Sequence, residues 1–206
     1  MEQFFALLGW LIVVYIVGSV PFGLLLAKMG RGIDPRLHGS RNTGATNVAR
    51  TCGTRYAVAT LILDLLKGFI PMLAATAISL SPLILTLSGL AALLGHMYSL
   101  FLDGRGGKGV ATTIGIFLAV TPTPLIWSLI LCIILVWTIG YVSLGSLALV
   151  ASLPLFILLA GNFGFLVLSI VATVLVFGKH RENILRLARG EEKTWKRYLS
   201  PQPAPE

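Results

Sequence analysis

The residues of this sequence that could do chemistry lie in three polar stretches, residues 28–55, 102–109 and 179–206, which separate long apolar segments. These stretches hold all of the 16 lysines and arginines except Lys67. Glycine-rich loops that carry lysine or arginine commonly hold phosphate or another oxyanion. The pattern therefore predicts one or more anion sites.

The first stretch contains the run GSRNTGATN at residues 39–47, and Arg50 follows it. Small residues let the backbone approach a ligand closely, and Arg can hold a phosphate through two parallel hydrogen bonds. A surface loop with orienting charges is the alternative. Nine consecutive small or polar residues are unusually dense for such a loop, which favours a binding site. The predicted ligands are Ser40, Asn42, Gly44, Thr46, Asn47 and Arg50.

The second stretch, GRGGKG at 104–109, precedes an apolar segment that begins at Val110. Free backbone N–H groups at a helix N-terminus, together with Lys108, would form an anion site. The loop is not a Walker A motif, because Leu102 replaces its first glycine and Gly109 follows the lysine instead of Ser or Thr. A flexible, charged turn is the alternative. The predicted ligands are Lys108 and the amides of Gly106, Gly107 and Gly109.

The third stretch places His180 and Asn183 three residues apart, on one face of a helix, and Arg186 follows them. His180 could act as a general base, donate a hydrogen bond to phosphate, or cap the preceding helix. None of the three histidines is followed by Asp five positions later, and no Gly-x-Ser-x-Gly motif occurs. The sequence thus lacks the His-x4-Asp motif of acyl-CoA-dependent glycerolipid acyltransferases and the serine motif of α/β-hydrolases.

Two polar features lie within apolar segments. Asp64 and Lys67 stand three residues apart, and His96 lies near the end of the third apolar segment. Charges inside a membrane are costly, so they are usually paired or functional. We interpret Asp64 and Lys67 as an ion pair that lines a polar cavity, and a packing role for His96 is favoured over a catalytic one.

Composition excludes a soluble domain. Of the 206 residues, 56% are hydrophobic and 12% charged, with mean hydropathy +0.88, whereas soluble domains carry about 25% charged residues. On so apolar a chain, the net charge of +8 indicates membrane orientation and anionic lipid or substrate rather than nucleic acid. Cys52 and Cys132 match neither a metal site nor a disulfide framework. We expect no metal and no cofactor.

The apolar segments predict an all-α, polytopic integral membrane protein that forms one domain over residues 1–206. A helix needs about 20 apolar residues to cross a bilayer. The predicted helices are residues 4–28, 55–79, 82–102, 110–121, 124–140, 142–160 and 163–179. Seven spans are therefore expected, with five as the alternative count.

The basic stretches follow the first, third and seventh predicted helices, so all three lie on one side. Because lysine and arginine concentrate on the cytoplasmic side, the N-terminus is expected outside and the C-terminus inside. The Pro-rich residues 200–206 are predicted to be disordered.

Six motifs in this order resemble those of the bacterial acyl-phosphate:glycerol-3-phosphate acyltransferases, the PlsY family. They are GSVPFG at 18–23, GSRNTGATN at 39–47 with Arg50, LDLLKG at 63–68, GHMY at 95–98, GGKGVAT at 106–112 and HRENILRLARGEE at 180–192. The resemblance covers nearly the whole chain. It departs at Ser99, where the family usually has Pro after GHMY.

The resemblance implies a bacterial inner-membrane enzyme whose active site faces the cytoplasm. It would transfer a fatty acyl group from acyl phosphate to the 1-hydroxyl of glycerol 3-phosphate, the first step of phospholipid synthesis. Transient contact with the soluble enzyme that makes acyl phosphate is left open. On this basis the expected catalytic residues are Ser40, Lys108 and His180. The expected substrate-binding residues are Asn42, Gly44, Thr46, Asn47, Arg50, Gly106, Gly107, Gly109, Asn183 and Arg186. The expected supporting residues are Asp64, Lys67, His96 and Glu192.

Two other classes of function are alternatives. A transporter of phosphorylated metabolites would suit the basic stretches and the intramembrane charges. Its site should lie near the midplane between paired repeats, yet no repeat is visible in the sequence. A lipid-binding scaffold would not need motifs of this density.

Overall fold

A computed structural model of the chain describes residues 1–195, and these form helices and turns without a β-strand. The fold class is therefore all-α, as predicted. The predicted disordered tail at 200–206 lies outside the described residues. The helices are α1 Glu2–Ser19, α2 Phe22–Arg31, α3 Ala45–Cys52, α4 Thr54–Ile78, α5 Pro82–Met97, α6 Val110–Val120, α7 Pro122–Ile139, α8 Val142–Leu159, α9 Leu166–Lys179 and α10 Arg181–Ala188, with 3-10 turns at Leu100–Leu102 and Phe163–Phe165.

Five helical segments among the described residues are long and apolar enough to cross a membrane: Glu2–Arg31, Thr54–Ile78, Pro82–Leu102, Pro122–Ile139 and Val142–Leu159. A sixth arises if Phe163–Lys179 is joined to α10 across a 63° bend. The remaining apolar helix, α6, has 11 residues and extends about 16 Å, roughly half of the hydrocarbon thickness. The chain is thus a multi-span membrane protein, and the count of seven stays a prediction.

The first predicted helix, residues 4–28, is not continuous. It is interrupted between α1 and α2, where Pro21 forms the N-cap of α2. Proline has no N–H and cannot continue the hydrogen-bond ladder of α1, so the helix breaks here. The carbonyl of Val20, which lies in the break, accepts from the amide of Phe22 at 3.1 Å. The ammonium group of Lys67 donates to this carbonyl, Val20 O, at 2.9 Å.

Glycines bring two helix pairs into close contact. A methyl group on Gly18 of α1 would lie 2.4 Å from the carbonyl oxygen of Ala92 in α5. A methyl group on Gly115 of α6 would lie 2.0 Å from the carbonyl oxygen of Leu65 in α4. Small residues at such contacts let membrane helices approach backbone to backbone. The α4–α6 contact holds α6, and with it the polar loop that precedes α6, against the centre of the bundle.

Proline in α8 creates an inter-helix hydrogen bond. Pro154 lies inside α8 and cannot donate to the carbonyl of Val150 four residues earlier. The hydroxyl of Thr173 in α9 donates to this carbonyl instead. The bond ties α8 to α9, the two helices whose polar ends carry Ser143 and His180.

The short helix α3 lies at the polar end of the bundle. Its residues Val48 and Cys52 pack with Ala27 of α2 in a small apolar cluster that is separate from the main core. Tyr56 packs against the cluster, and its hydroxyl donates a hydrogen bond to the carbonyl of Gly30 at 2.9 Å. This packing fixes the loop that joins α2 to α3, which contains the first predicted motif.

Candidate active site

The three motifs meet at one cavity of about 160 Å³ at the polar end of the bundle. Its walls come from the loop before α3, from α3 itself, from the N-terminus of α6, from the start of α8, and from α10 with the residues after it. Twelve of the predicted site residues line it: Ser40, Asn42, Gly44, Thr46, Asn47, Arg50, His96, Lys108, Gly109, His180, Asn183 and Glu192. The structure thus brings together residues that lie more than 150 positions apart.

Asn47 organises the first loop. Its buried side-chain N–H₂ donates to the carbonyls of Pro35 and Asn42 at 2.8 Å and to that of His38 at 3.1 Å, and its Oδ1 accepts from the amide of Ser40 at 2.7 Å. These bonds occupy the donors of the side chain. The geometry therefore gives Asn47 the task of shaping the loop that presents Ser40, and its direct contact with a substrate stays a prediction.

Two amides of the second loop are hydrogen-bonded within the protein. The N–H of Gly106 donates to the carbonyl of Met97 at 3.2 Å, and that of Gly107 donates to the carbonyl of His96 at 3.1 Å. Neither amide is free for a phosphate in this structure, and the predicted phosphate contact of these two amides stays a prediction. Both glycines are instead required by close packing, since a methyl group would lie 2.0 Å from His96 O at Gly106 and 2.2 Å from His96 Nε2 at Gly107.

The end of this loop has the features of an anion site. Gly109, with φ +87°, is the N-cap of α6, and the same cavity is also lined by Val110 and Ala111. The first N–H groups of a helix have no partner within the helix, and its N-terminus carries a partial positive charge. Lys108 lies beside them on the same wall.

Lys108 belongs to a chain of hydrogen bonds. Its Nζ donates to Oδ1 of Asn183. The Nδ2 of Asn183 donates to Oε1 of Glu192 at 2.6 Å, and Ser143 Oγ donates to the same oxygen at 2.9 Å. The second oxygen of Glu192 accepts from Nε of Arg186 at 2.7 Å. The carboxylate therefore orients the amide of Asn183 so that its oxygen faces Lys108.

The charges of the residues in this hydrogen-bonded series suit an anionic ligand. Burial, together with the nearby cation Arg186, lowers the pKa of Lys108 to about 8. Burial by itself would raise the pKa of Glu192, but the hydrogen bonds from Arg186, Asn183 and Ser143 outweigh it and hold the pKa below its usual value. At neutral pH Lys108 is therefore a cation and Glu192 an anion.

His180 lies in the bend between α9 and α10. Its Nδ1 is 2.9 Å from the carbonyl of Val176, and because a carbonyl only accepts, Nδ1 carries the hydrogen. Burial, with the nearby Lys108, lowers the pKa of His180 to about 4, so the imidazole is neutral near pH 7. Its Nε2 is then an acceptor, which suits a hydroxyl group better than a phosphate oxygen. The bond to Val176 also caps the end of α9.

A second, more open cavity of about 420 Å³ adjoins the first. Ser40, Asn42 and Lys108 line both cavities, and Arg186 lines only the second among the predicted site residues. Arg41, whose φ of +55° is unusual for a residue with a side chain, adds another cation there. Two cavities that suit anions therefore share Lys108 in their walls.

The intramembrane charges form a separate buried cluster. Lys67 Nζ lies 2.8 Å from Asp64 Oδ1, and the side chains are 3% and 5% exposed. His96 Nδ1 is 3.7 Å from the same carboxylate oxygen. With Ser19 and Ser99 they surround a cavity of about 10 Å³, and neither Asp64 nor Lys67 lines the first cavity. This geometry supports the interpretation of a structural ion pair, which secures the break after α1.

Three polar residues of the first cavity were missed by the sequence reasoning: Ser143, Ser146 and Lys193. Ser143 and Ser146 stand three residues apart on α8 in an otherwise apolar segment. Their spacing placed them on one helix face and was the signal available. Nothing in the sequence distinguished Lys193 from the other basic residues of the third stretch.

Fold and site define an integral membrane protein with a cationic cavity, suited to phosphate-bearing ligands, at the polar end of its helices. The model of a family described as glycerol-3-phosphate acyltransferase matches residues 8–190. The chain belongs to this family, as the resemblance predicted.

Curated relatives and a solved structure agree with this membership. The chain is 55% identical over 188 residues to a glycerol-3-phosphate acyltransferase of Nitratidesulfovibrio vulgaris, covering 91% of this chain and 58% of that relative. It is 49% identical to a glycerol-3-phosphate acyltransferase of Lawsonia intracellularis, over 91% of this chain and 94% of the relative. The chain also resembles a crystal structure of PlsY, an integral membrane glycerol 3-phosphate acyltransferase, in its glycerol 3-phosphate form. The TM-score is 0.87 and the sequence identity is 42%, over 92% of this chain and 96% of that one.

Proposed function

We propose that this protein transfers a fatty acyl group from acyl phosphate to the 1-hydroxyl of glycerol 3-phosphate, which gives 1-acyl-glycerol 3-phosphate and inorganic phosphate. Membership of the glycerol-3-phosphate acyltransferase family supports the acceptor and the type of reaction. The PlsY crystal structure, known in a glycerol 3-phosphate form and a lysophosphatidic acid form, supports the same acceptor and product. Acyl phosphate as the donor is our inference from the motifs and from the two cavities.

The observation that carries the proposal is the position of Lys108 on the shared wall of the two cavities. Both proposed substrates carry a phosphate group, and acyl transfer requires the hydroxyl of one to reach the carbonyl of the other. One cation between two anion-suited spaces attracts both phosphates and brings their reacting groups close together.

In the proposed reaction the 1-hydroxyl oxygen attacks the acyl carbonyl carbon. The bond between this carbon and the phosphate oxygen then breaks, and the hydroxyl proton passes to the departing phosphate. Phosphate is a good leaving group, so the protein needs mainly to position the substrates and stabilise negative charge. Lys108 and the N–H groups at the start of α6 provide this stabilisation, and no metal is required by the mechanism.

We assign Lys108, the amide of Gly109 and Ser40 to the acyl phosphate. Arg50, His180 and Asn183 are assigned to glycerol 3-phosphate, with Nε2 of His180 accepting a hydrogen bond from a hydroxyl group of the acceptor. Thr46 and Gly44 line the same wall as Arg50. Asn47 and Glu192 hold the loop and the Asn183 amide in place and need no contact with substrate.

We further propose that the protein lies in the bacterial inner membrane with this cavity on the cytoplasmic side and the N-terminus outside. The convergence of all three basic stretches at one end of the bundle supports this orientation, because basic residues concentrate on the cytoplasmic side. Within residues 1–195 no group of three His, Cys, Asp or Glu side chains could hold a metal ion. The absence of a cofactor stays a prediction, and so does docking of the enzyme that makes acyl phosphate.

The test is a parallel assay of purified protein with labelled glycerol 3-phosphate and either palmitoyl phosphate or palmitoyl-CoA. Labelled lysophosphatidic acid from palmitoyl phosphate alone is the expected result. Lys108→Ala should lose most of the activity, whereas Lys28→Ala, a lysine paired with Asp34 outside both cavities, should keep it. Product from palmitoyl-CoA would overturn the donor assignment. No product from either donor, with transport of label into sealed vesicles, would favour the transporter.

A further inference from the structure

The segment after α10, residues 190–195, crosses from α10 to the end of α7, and we call it the strap. It begins at Gly190, whose φ of +70° lets the chain turn away from the helix. Its first bond runs from the amide of Glu191 to the carbonyl of Arg186 at 2.8 Å. The match to the family model ends at residue 190, so residues 191–195 of the strap lie beyond it.

The far end of the strap is held by Trp195. The amide of Trp195 donates to the carbonyl of Gly140 at 2.9 Å, and its indole Nε1 donates to that of Val136, also at 2.9 Å. Its ring stacks at an angle on Trp137, with centroids 5.9 Å apart. The carbonyl of Gly140 lies beyond the last turn of α7, and Val136 O also accepts from the amide of Gly140 at 3.0 Å. The two bonds from Trp195 therefore anchor the strap to the end of α7.

Glu192 stands between the two anchors. It is 8% exposed, whereas its neighbours Glu191 and Lys193 are exposed. Ser143 and Asn183 donate to one of its carboxylate oxygens and Arg186 to the other. A carboxylate is buried at a large cost unless its partners are in place, so the position of the strap decides whether this one can remain there.

The orientation of Asn183 depends on Glu192. The side-chain amide has an oxygen and an NH₂ group of nearly the same shape, and the two orientations are distinguished by the acceptor Glu192 on one side and the donor Lys108 on the other. Glu192 takes the NH₂ group, which directs Oδ1 toward Lys108. Without the carboxylate, the NH₂ group would lose its acceptor, and the amide would be held only by its bond to Lys108.

We propose that Trp195 is a positioning residue for acyl transfer: by fixing the strap to the end of α7, it holds Glu192 where the carboxylate orients Asn183 toward Lys108. Trp195 does not line either cavity and touches no proposed substrate position. The inference rests on the proposed function for its kinetic readout, and it also predicts a change in anion binding.

The experiment compares Trp195→Ala, Trp195→Phe and Trp127→Ala in the full-length protein. Trp127 is a half-exposed tryptophan on α7, the helix to which the strap is bound, and it is the matched control. We expect Trp195→Ala to lower kcat/KM about 10-fold, equivalent to about 1.4 kcal/mol. Trp195→Phe keeps a stacking ring but loses the indole bond, so its loss should be smaller, and Trp127→Ala should stay within about twofold of the unaltered protein.

A double variant separates positioning from general structure. If Trp195 acts through Glu192, then Trp195→Ala should have little further effect in a Glu192→Gln background, because coupled residues are not additive. Equal losses in both backgrounds would overturn the proposal. So would unchanged kinetics in Trp195→Ala.

Binding of inorganic phosphate, measured by calorimetry on the same variants, tests the strap independently of the reaction. Trp195→Ala should weaken phosphate binding several-fold, and Trp127→Ala should not. Failure of the unaltered protein to form product would refute the proposed function alone, whereas equal phosphate affinity in Trp195→Ala and the unaltered protein would refute the role of the strap alone.

Discussion

Replacement of Gly107 by alanine should displace Lys108 and slow acyl transfer without unfolding the protein. The added methyl group would lie 2.2 Å from Nε2 of His96, and ordinary contact begins at 3.4 Å. One side must therefore move by about 1.2 Å. His96 is buried and has little room, so the loop that carries Lys108 takes part of the shift. Misplacement of a catalytic group by about 1 Å can lower a rate by about 100-fold.

A neighbouring glycine provides a test of this cause. A methyl group on Gly106 would meet the backbone oxygen of His96 at 2.0 Å rather than its imidazole. Truncation of the side chain, His96→Ala, should therefore rescue Gly107→Ala in part but should not rescue Gly106→Ala. Gly9→Ala, where a methyl group meets no atom within 4 Å, is the neutral control.

The assay is kcat/KM for lysophosphatidic acid formation in the single and double variants, together with thermal unfolding of each protein in detergent. We expect kcat/KM to fall about 10- to 100-fold in Gly107→Ala and a coupling free energy of about 1–2 kcal/mol with His96→Ala. Overpacking should cost about 1–3 kcal/mol of stability. Additive effects of Gly107→Ala and His96→Ala, or equal rescue of Gly106→Ala, would refute the assignment of the contact to the imidazole.

Two more predictions concern charge. The pKa of Lys108 is lowered to about 8, so its charge is present below that pH and is lost above it. We therefore expect kcat/KM to fall as pH rises through about 8. Lys108→Arg stays charged, so its pH profile should lack that fall even if its overall rate is lower. Lys67→Met would leave the carboxylate of Asp64 buried without its cation, at a cost of about 3–5 kcal/mol. Much of that loss should return in Asp64→Asn/Lys67→Met, as thermal unfolding would show, and an equally unstable double variant would contradict the role of the ion pair.

The sequence alone determined the class of the protein and most of the residues at its site. Long apolar segments require a membrane, because so few charges cannot cover a soluble surface. Polar residues are costly between such segments, so their types identified Ser40, Arg50, Lys108 and His180 as candidates, and the structure places all four in one cavity. The break at Pro21 was signalled by the proline itself, although the expected helix ran through it.

The tertiary structure decided what each candidate does, because a hydrogen bond is made by neighbours that a linear pattern does not name. Gly106 and Gly107 have the composition of a phosphate loop, yet their amides are taken by the end of α5. Asn47 has the side chain of a ligand and holds its own loop. Ser143 appeared as an ordinary residue of an apolar helix until the strap brought Glu192 to its hydroxyl.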